Sequence, residues 1–347
     1  MISSLLDKSP VKLWKPPKRT YPMRLTVMRQ LGGIGDFLMM TPVLRGLKEK
    51  YPGCHITLGT DKYYSGGALP MLARGNPFID HVVQVNPTEF VCSPTRYVRH
   101  EFRNTPNHIV PHCVIETDLV IDLNVICALT ETAQQPNVIE HRTDIWCKTA
   151  DVSPSSKRPI LHLDEEELAE GAAWCRQQLG DGIRIGVVLS AMDPARDWPY
   201  ASEFARDLHQ LGYKVCTIDL KKRAHPQIPA MLGMHIRRVA SAVAHLDAVV
   251  SPDTGILHVA GTLGVPVLGL FGPTSGALRM REYPGSYSNP GALVTCSPCW
   301  YLHTCRKENL KQPDRWYACM KRITREFALH ELEAMLRRFG KEPITPV

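Results

Sequence analysis

The chain is 347 residues long, 44% hydrophobic and 22% charged, with a formal net charge of +7. That length fits two domains of ordinary size, and the apolar share is enough to build two cores. It argues against a membrane-spanning protein: the longest apolar candidate, Gly264–Phe271, is short and broken by Pro266, well below the ~18 residues a span needs. Residues 1–22 carry Lys8, Lys12, Lys15, Lys18 and Arg19 against Asp7 alone. With no apolar stretch leading to a small-residue cleavage site, they read as a flexible basic tail, not a secretory signal. The protein is therefore expected in the cytoplasm. Its tail suits an anionic partner, such as the inner membrane face, a phosphorylated glycolipid or nucleic acid.

The elements then alternate. Arg24–Arg29 reads as a buried strand, followed by a glycine-rich loop at Gly32–Asp36 and an amphipathic helix over Phe37–Lys50. Cys54–Gly59, Ile79–Val85 and Leu119–Leu123 are further strands. Asp151–Arg158 is polar and proline-containing and predicts a linker. Beyond it the alternation resumes: strands at Ile183–Leu189, Lys214–Asp219, Ala248–Ser251 and Val265–Phe271, and helices at Tyr200–Leu211, Val239–His245 and Thr254–Leu263. Phe327–Phe339 closes the chain as a helix with Leu329, Leu332, Met335 and Leu336 on one face. Strands alternating with helices in two series predict an α/β protein of two doubly wound, Rossmann-like domains facing a cleft. The expected division is a tail over residues 1–22, a first domain over 23–155 and a second over 156–347. Ligands are expected beyond the C-terminal ends of the strands.

Four short segments sit at such ends. Leu31-Gly32-Gly33-Ile34-Gly35-Asp36 joins a strand to a helix: Gly33 and Gly35 allow close backbone approach, and Asp36 lies where a first-turn acid is stabilising. The third glycine of the dinucleotide fingerprint is replaced by Leu38. Ser251-Pro252-Asp253-Thr254-Gly255-Ile256-Leu257-His258 opens another helix. Asp253 or Thr254 can cap it, the amides near Thr254 and Gly255 can cradle a diphosphate, and His258 lies one turn in on the same side. Arg196-Asp197-Trp198-Pro199 offers a guanidinium for phosphate, and Phe271-Gly272-Pro273-Thr274 is a turn. Each segment alone is equally well read as a cap, a packed side chain or a surface residue.

Two other groups stand out. Arg96, Arg99, His100 and Arg103 fall at near-helical spacing with Tyr97 and Phe102 between them, either a solvated basic face or a contact for acceptor phosphates. Of eleven cysteines, Cys296, Cys299, Cys305 and Cys319 cluster late in the chain, with His303 nearby as a substitute ligand. Their spacing predicts a structural zinc or iron site in a Cys-rich lobe over residues 296–319, with reduced packed thiols as the alternative. Four thiolates leave no open coordination position for catalysis.

Taken together and in order, the segments resemble the ADP-heptose:lipopolysaccharide heptosyltransferases of glycosyltransferase family 9. The similarity lies in QLGGIGDFLMMTPVLRGLKEKYP, ARDWP, VSPDTGILHVAGTLGVPVLGLFGPT and CMKRITREFALHEL. It runs from about Arg24 onward and is weakest over Asn86–Asp151. The resemblance implies a GT-B fold and transfer of a sugar, with inversion, from a nucleotide diphosphate such as ADP-heptose to a glycan or glycolipid hydroxyl. It implies Asp36 as catalytic base and Arg196 in place of a donor-phosphate lysine. Asp253, Thr254, Gly255 and His258 match its donor motif, and Asp219 lies where the family places an acid near the donor ribose. No catalytic metal is required if these groups supply the counter-charge. Ala191 and Met192 replace hydroxyl residues of the family pattern, which leaves the donor's base and sugar open. Other readings are transfer to modified DNA bases, as in phage enzymes, transfer to protein, nucleotide-sugar epimerisation and a non-catalytic nucleotide-sugar-binding protein.

Overall fold

The computed structural model of the chain describes residues 22–61, 67–84, 91–93, 96–98, 117–219, 227–288, 294–302, 305 and 317–344. Most of the expected tail, together with Arg99, His100, Arg103 and His303, lies outside the described residues.

The first half runs β1 (Arg24–Met28), α1 (Ile34–Lys50), β2 (His55–Thr60), α2 (Ala68–Ala73), β3 (His81–Gln84), β4 (Val91–Ser93), β5 (Arg96–Val98), β6 (Leu119–Asp122), α3 (Ile126–Gln134) and α4 (Arg142–Thr149). Four of these strands form a parallel sheet in the order β3-β2-β1-β6. β1 is central, which is why its Leu25 and Val27 are apolar and buried.

The second half runs α5 (Glu165–Leu179), β7 (Arg184–Val188), α6 (Ala201–Gln210), β8 (Lys214–Ile218), β9 (Ala230–Met231), α7 (Ile236–Val243), β10 (Ala248–Pro252), α8 (Gly255–Leu263), β11 (Val267–Leu270), α9 (Gly276–Arg279) and β12 (Gly285–Ser288). The helices Ala318–Lys321 and Arg325–Arg338 follow. Its six strands are all parallel, in the order β12-β11-β10-β7-β8-β9. The direction of winding reverses between β10 and β7, the place where such sheets open a crevice. Between Thr149 and Glu165 the chain forms neither helix nor strand, which accommodates the linker expected at Asp151–Arg158.

Helix α1 keeps its course through Pro42. Proline has no N–H for the Leu38 carbonyl four residues back, and the Thr41 hydroxyl donates to that carbonyl instead, at 2.7 Å. Val43, Leu44 and Leu47 are wholly buried on this helix, each contributing about 1.5–3 kcal/mol by area. One apolar cluster runs from this helix across α8 to Val239, Ala240 and Val243 of α7, so the two halves share a continuous core. A second cluster lies on the other face of the larger sheet, where the closing helix packs Leu332, Met335 and Leu336.

One expectation is corrected here. Arg96 belongs to an antiparallel pair, with Val91 opposite Val98, Cys92 opposite Tyr97 and Ser93 opposite Arg96. The β-branched and aromatic residues of this stretch favour a pleated strand over the basic helix that the arginine spacing suggested.

Candidate functional site

Two helix starts confront each other. At the first, Gly33 is the N-cap of α1, and its amide donates to Asp36 Oδ2 at 3.0 Å. Asp36 also pairs with Arg142 through Oδ1 and lies 3.8 Å from Arg29. Burial would raise its pKa, but Arg142, Arg29, Arg279 and the Gly33 amide outweigh burial and hold it well below the carboxylate range. Arg29 is itself fixed: its Nη1 donates to the Asn124 carbonyl at 2.8 Å, and its guanidinium stacks over Trp146.

The second start is α8, whose N-cap Thr254 makes no side-chain cap to the helix amides. Thr254 Oγ1 instead meets Ser251 Oγ at 3.0 Å. The first-turn amides at Thr254 and Gly255 are therefore open toward the cavity, the arrangement that favours an anion. Asp253 organises the surroundings: Thr274 Oγ1 donates to its Oδ2 at 2.8 Å, Arg196 Nη1 donates to its backbone carbonyl at 2.9 Å, and His258 Nε2 lies 3.5 Å from its Oδ1. Burial would raise the Asp253 pKa, yet His258, Arg279 and Arg196 keep it far below its ordinary value. Arg196 ends a 3₁₀ turn, Pro194–Arg196, that Asp193 caps. Its Nε is buried with no hydrogen-bond partner among the described residues, a donor left for a ligand.

The halves meet closely around these starts. A Cβ on Gly35 would fall 2.8 Å from His258 Nε2, and one on Gly255 would fall 2.8 Å from Ile34 Cβ. Gly35 is thus required for space, while at Gly33 nothing lies within 4 Å of an added Cβ. Between the two helix starts opens a cavity of about 760 Å³. Gly33, Gly35, Asp36, Arg196, Asp253, Thr254, Gly255 and His258 line it, so the structure brings these sequence-selected residues together. Asp219 follows β8 outside that lining, where its carboxylate accepts from Ser190 Oγ at 2.5 Å.

The cavity also contains residues that the motifs did not mark: Arg142, Arg279 and Tyr301. The two arginines share buried Glu131, and Trp300 lies over Arg279 with 4.8 Å from guanidinium carbon to ring centroid. Arg142 occupies the first position of α4, where the helix dipole disfavours a cation. That misplacement was the available sequence signal.

None of the four late cysteines is in a disulfide. Burial pushes the Cys319 thiol up to about 12, with Cys305, Cys299 and Cys296 adding to the rise through their charges. Cys319 lies against Gly272, where an added Cβ would fall 2.7 Å from its sulfur. Among the described residues, no three His, Cys, Asp or Glu side chains are placed as a metal centre requires. No described helix is long and apolar enough to cross a membrane.

Two parallel sheets with their strand ends directed at one cavity define a GT-B glycosyltransferase fold. Solved structures share it: a glycosyl transferase family 9 protein of Veillonella parvula at a TM-score of 0.64 and 16% identity, covering 92% of this chain and 98% of that one. The dodecameric, iron-containing heptosyltransferase TibC of enterotoxigenic Escherichia coli H10407, solved with ADP-D-β-D-heptose, aligns at a TM-score of 0.64 and 14% identity, covering 94% of this chain and 81% of that one. Among curated relatives, lipopolysaccharide heptosyltransferase 2 of Salmonella typhimurium is 24% identical over 223 residues, 59% of this chain and 54% of that protein. The family model for glycosyltransferase family 9 (heptosyltransferase) matches residues 121–309. The chain belongs to that family. Its matches to the curated relatives span between 29% and 54% of their lengths.

Proposed function

We propose that the protein transfers a heptose-like sugar from a nucleotide diphosphate, of the ADP-heptose type, to a hydroxyl of a lipopolysaccharide-type glycan. The observation that carries this reading is the cavity itself. An ionised Asp36 at one helix start faces open amides and Arg196 at the other. The family favours sugar transfer over the nucleic-acid, protein-acceptor, epimerase and non-catalytic readings. In this reading residues 23–155 carry the acceptor side and 156–347 the donor side, with Asp219 near the ribose and Arg96, Arg99 and Arg103 on the acceptor side. The enzyme works at the cytoplasmic face of the membrane.

The chemistry is a single displacement. The acceptor oxygen bonds to the anomeric carbon as the bond from that carbon to the diphosphate oxygen breaks. The hydroxyl proton passes to Asp36, and the departing diphosphate is met by the α8 amides, Arg196 and Arg279. The arginines that keep Asp36 ionised also weaken it as a base. Basicity returns when incoming phosphate charge draws Arg142 Nη1 away from Asp36.

Calorimetry with a panel of nucleotide sugars tests the donor site. ADP-heptose should bind, and Arg196→Ala should weaken it by about 1.5–3 kcal/mol, the worth of a charge-assisted contact. Unchanged affinity in that variant removes Arg196 from the donor site.

A second reading concerns the cysteines. The C-x2-C pair Cys296 and Cys299, with Cys305 and Cys319 later in the chain, supports one structural iron or zinc ion whose binding would have to draw the four thiols together. The iron of TibC favours iron. Such an ion would staple the lobe that carries Trp300 and Tyr301. Elemental analysis should find about one ion per chain, and Cys299→Ser with Cys319→Ser should abolish it. Pure protein without metal overturns this reading.

A further inference from the structure

Glu131 lies on the buried face of α3 and is 7% exposed. Both of its oxygens are taken by arginines. Arg142 Nε donates to Oε1 at 2.7 Å and Arg142 Nη2 to Oε2 at 2.5 Å, which leaves Nη1 for Asp36. Arg279, from the other half of the molecule, donates through Nη1 to Oε1 at 3.0 Å and keeps its Nε 3.8 Å from Asp253. One turn further along the chain, Gln135 Nε2 donates to the carbonyl of Trp300, the residue whose ring covers Arg279. An alternating chain of charge thus crosses the molecule: Asp36, Arg142, Glu131, Arg279, Asp253.

We infer that Glu131 is a positioning residue that aims the arginines of both halves at the cavity and ties the halves together through α3. The inference rests on the sugar-transfer reading above for its catalytic consequence. A guanidinium whose far edge is gripped by a carboxylate presents its remaining N–H groups in one direction. Glu131 neutralises part of the charge of Arg142, so Asp36 is less strongly suppressed as a base than it would be by an unshared arginine. It also holds Arg142 in place when phosphate draws it from Asp36. Because Arg279 comes from the other half and shares Oε1 with Arg142, opening the halves releases Arg279 from Glu131, while Arg142, on the same half as Glu131, stays gripped.

Two measurements on Glu131→Gln and Glu131→Asp test this. The first is hydrogen–deuterium exchange in the ligand-free proteins. Glu131→Gln should speed exchange at least about fivefold in both 142–149 and 276–279, since local opening of the two segments is coupled. Glu131→Asp, which keeps the charge, should lie between Glu131→Gln and wild type. Unchanged exchange in either segment overturns the tie, whatever the donor proves to be.

The second measurement uses ADP-D-β-D-heptose with heptose-deficient lipopolysaccharide. Turnover of Glu131→Gln should fall about tenfold or more while its ADP dissociation constant stays within about threefold of wild type, with partial recovery in Glu131→Asp. Loss of ADP binding in proportion to turnover would mark a merely structural residue and overturn the positioning role, as would turnover equal to wild type. A wild-type protein that binds no nucleotide sugar defeats the donor reading instead, and the exchange measurement then decides on Glu131 alone.

Discussion

Asp36 shows how one side chain can satisfy two demands. As the third residue of α1 it closes the helix start by accepting from Gly33, and it faces the cavity beside two arginines. Asp36→Asn keeps the shape and removes the charge. If Asp36 is the base, turnover should fall by roughly 100- to 10,000-fold with donor affinity nearly intact. Single-turnover kinetics on a verified acceptor checks this, and a near-wild-type rate would reassign Asp36 to capping. At this scale the sequence was legible for cavity-lining residues at strand-to-helix turns, as Asp36, Thr254 and Arg196 are. Glu131 was not, because a glutamate in a short helix reads as solvated. Nothing local reveals that position 131 shares the buried face with Cys127.

Helices α1 and α8 meet at their first turns, and the contact is set by the absence of a side chain. His258 is pinned between Asp253 and the Tyr283 hydroxyl, 3.1 Å from its Nδ1, so its ring cannot yield. Gly35→Ala should therefore push the helix starts apart, costing about 1–3 kcal/mol by overpacking and lowering transfer activity with it. Gly33→Ala meets open space at an ordinary φ of −80° and should leave stability within about 0.5 kcal/mol of wild type. Urea unfolding of the two variants separates these outcomes. The sequence showed that both glycines allow close approach. Which one is needed for packing depends on a helix more than two hundred residues away. The same limit applies to α3 and α4, short helices whose sequences carry no clear periodic face. The long, strongly apolar strands such as β1, β7 and β10 were readable because parallel strands are buried on both sides.

Across the whole molecule the halves are joined by ion pairs as well as by the shared core. Arg237 on α7 is 3% exposed; it pairs with Glu167 and donates to the carbonyls of Met71, Arg74 and His162 at 3.0, 3.1 and 2.9 Å. Hydrogen bonding to Arg237 lowers Glu167 to about 2, and Arg281 and Lys157 overcome burial to lower Asp144 to about 2. These carboxyls are more acidic folded than unfolded. Their stabilisation is fully present above the unfolded pKa values, 4.5 for Glu167 and 3.8 for Asp144, and is lost as pH falls toward about 2. Urea midpoints should accordingly hold from pH 8 to 6 and decline below about pH 4.5. Arg237→Ala should cost about 3 kcal/mol at pH 7, the scale of breaking a buried pair, and the gap to wild type should narrow as acid neutralises Glu167. A gap of constant size down to pH 2.5 would show that Arg237 acts through its carbonyl contacts alone.

The stacking of Trp300 beneath Arg279 gives the protein an optical property of its own. An indole's emission shifts with the charge and water around it, and this ring touches a cation that lines the cavity. Trp146 lies against Arg29 in the same way, 5.0 Å from the guanidinium carbon, but that pair is buried outside the cavity lining. One of the chain's six tryptophans, Trp300, therefore sits as a native fluorophore against an arginine of the cleft. Occupation of the site can be followed by ultraviolet emission of the unlabelled chain, and replacing Trp300 by phenylalanine should remove the ligand-dependent part of that signal.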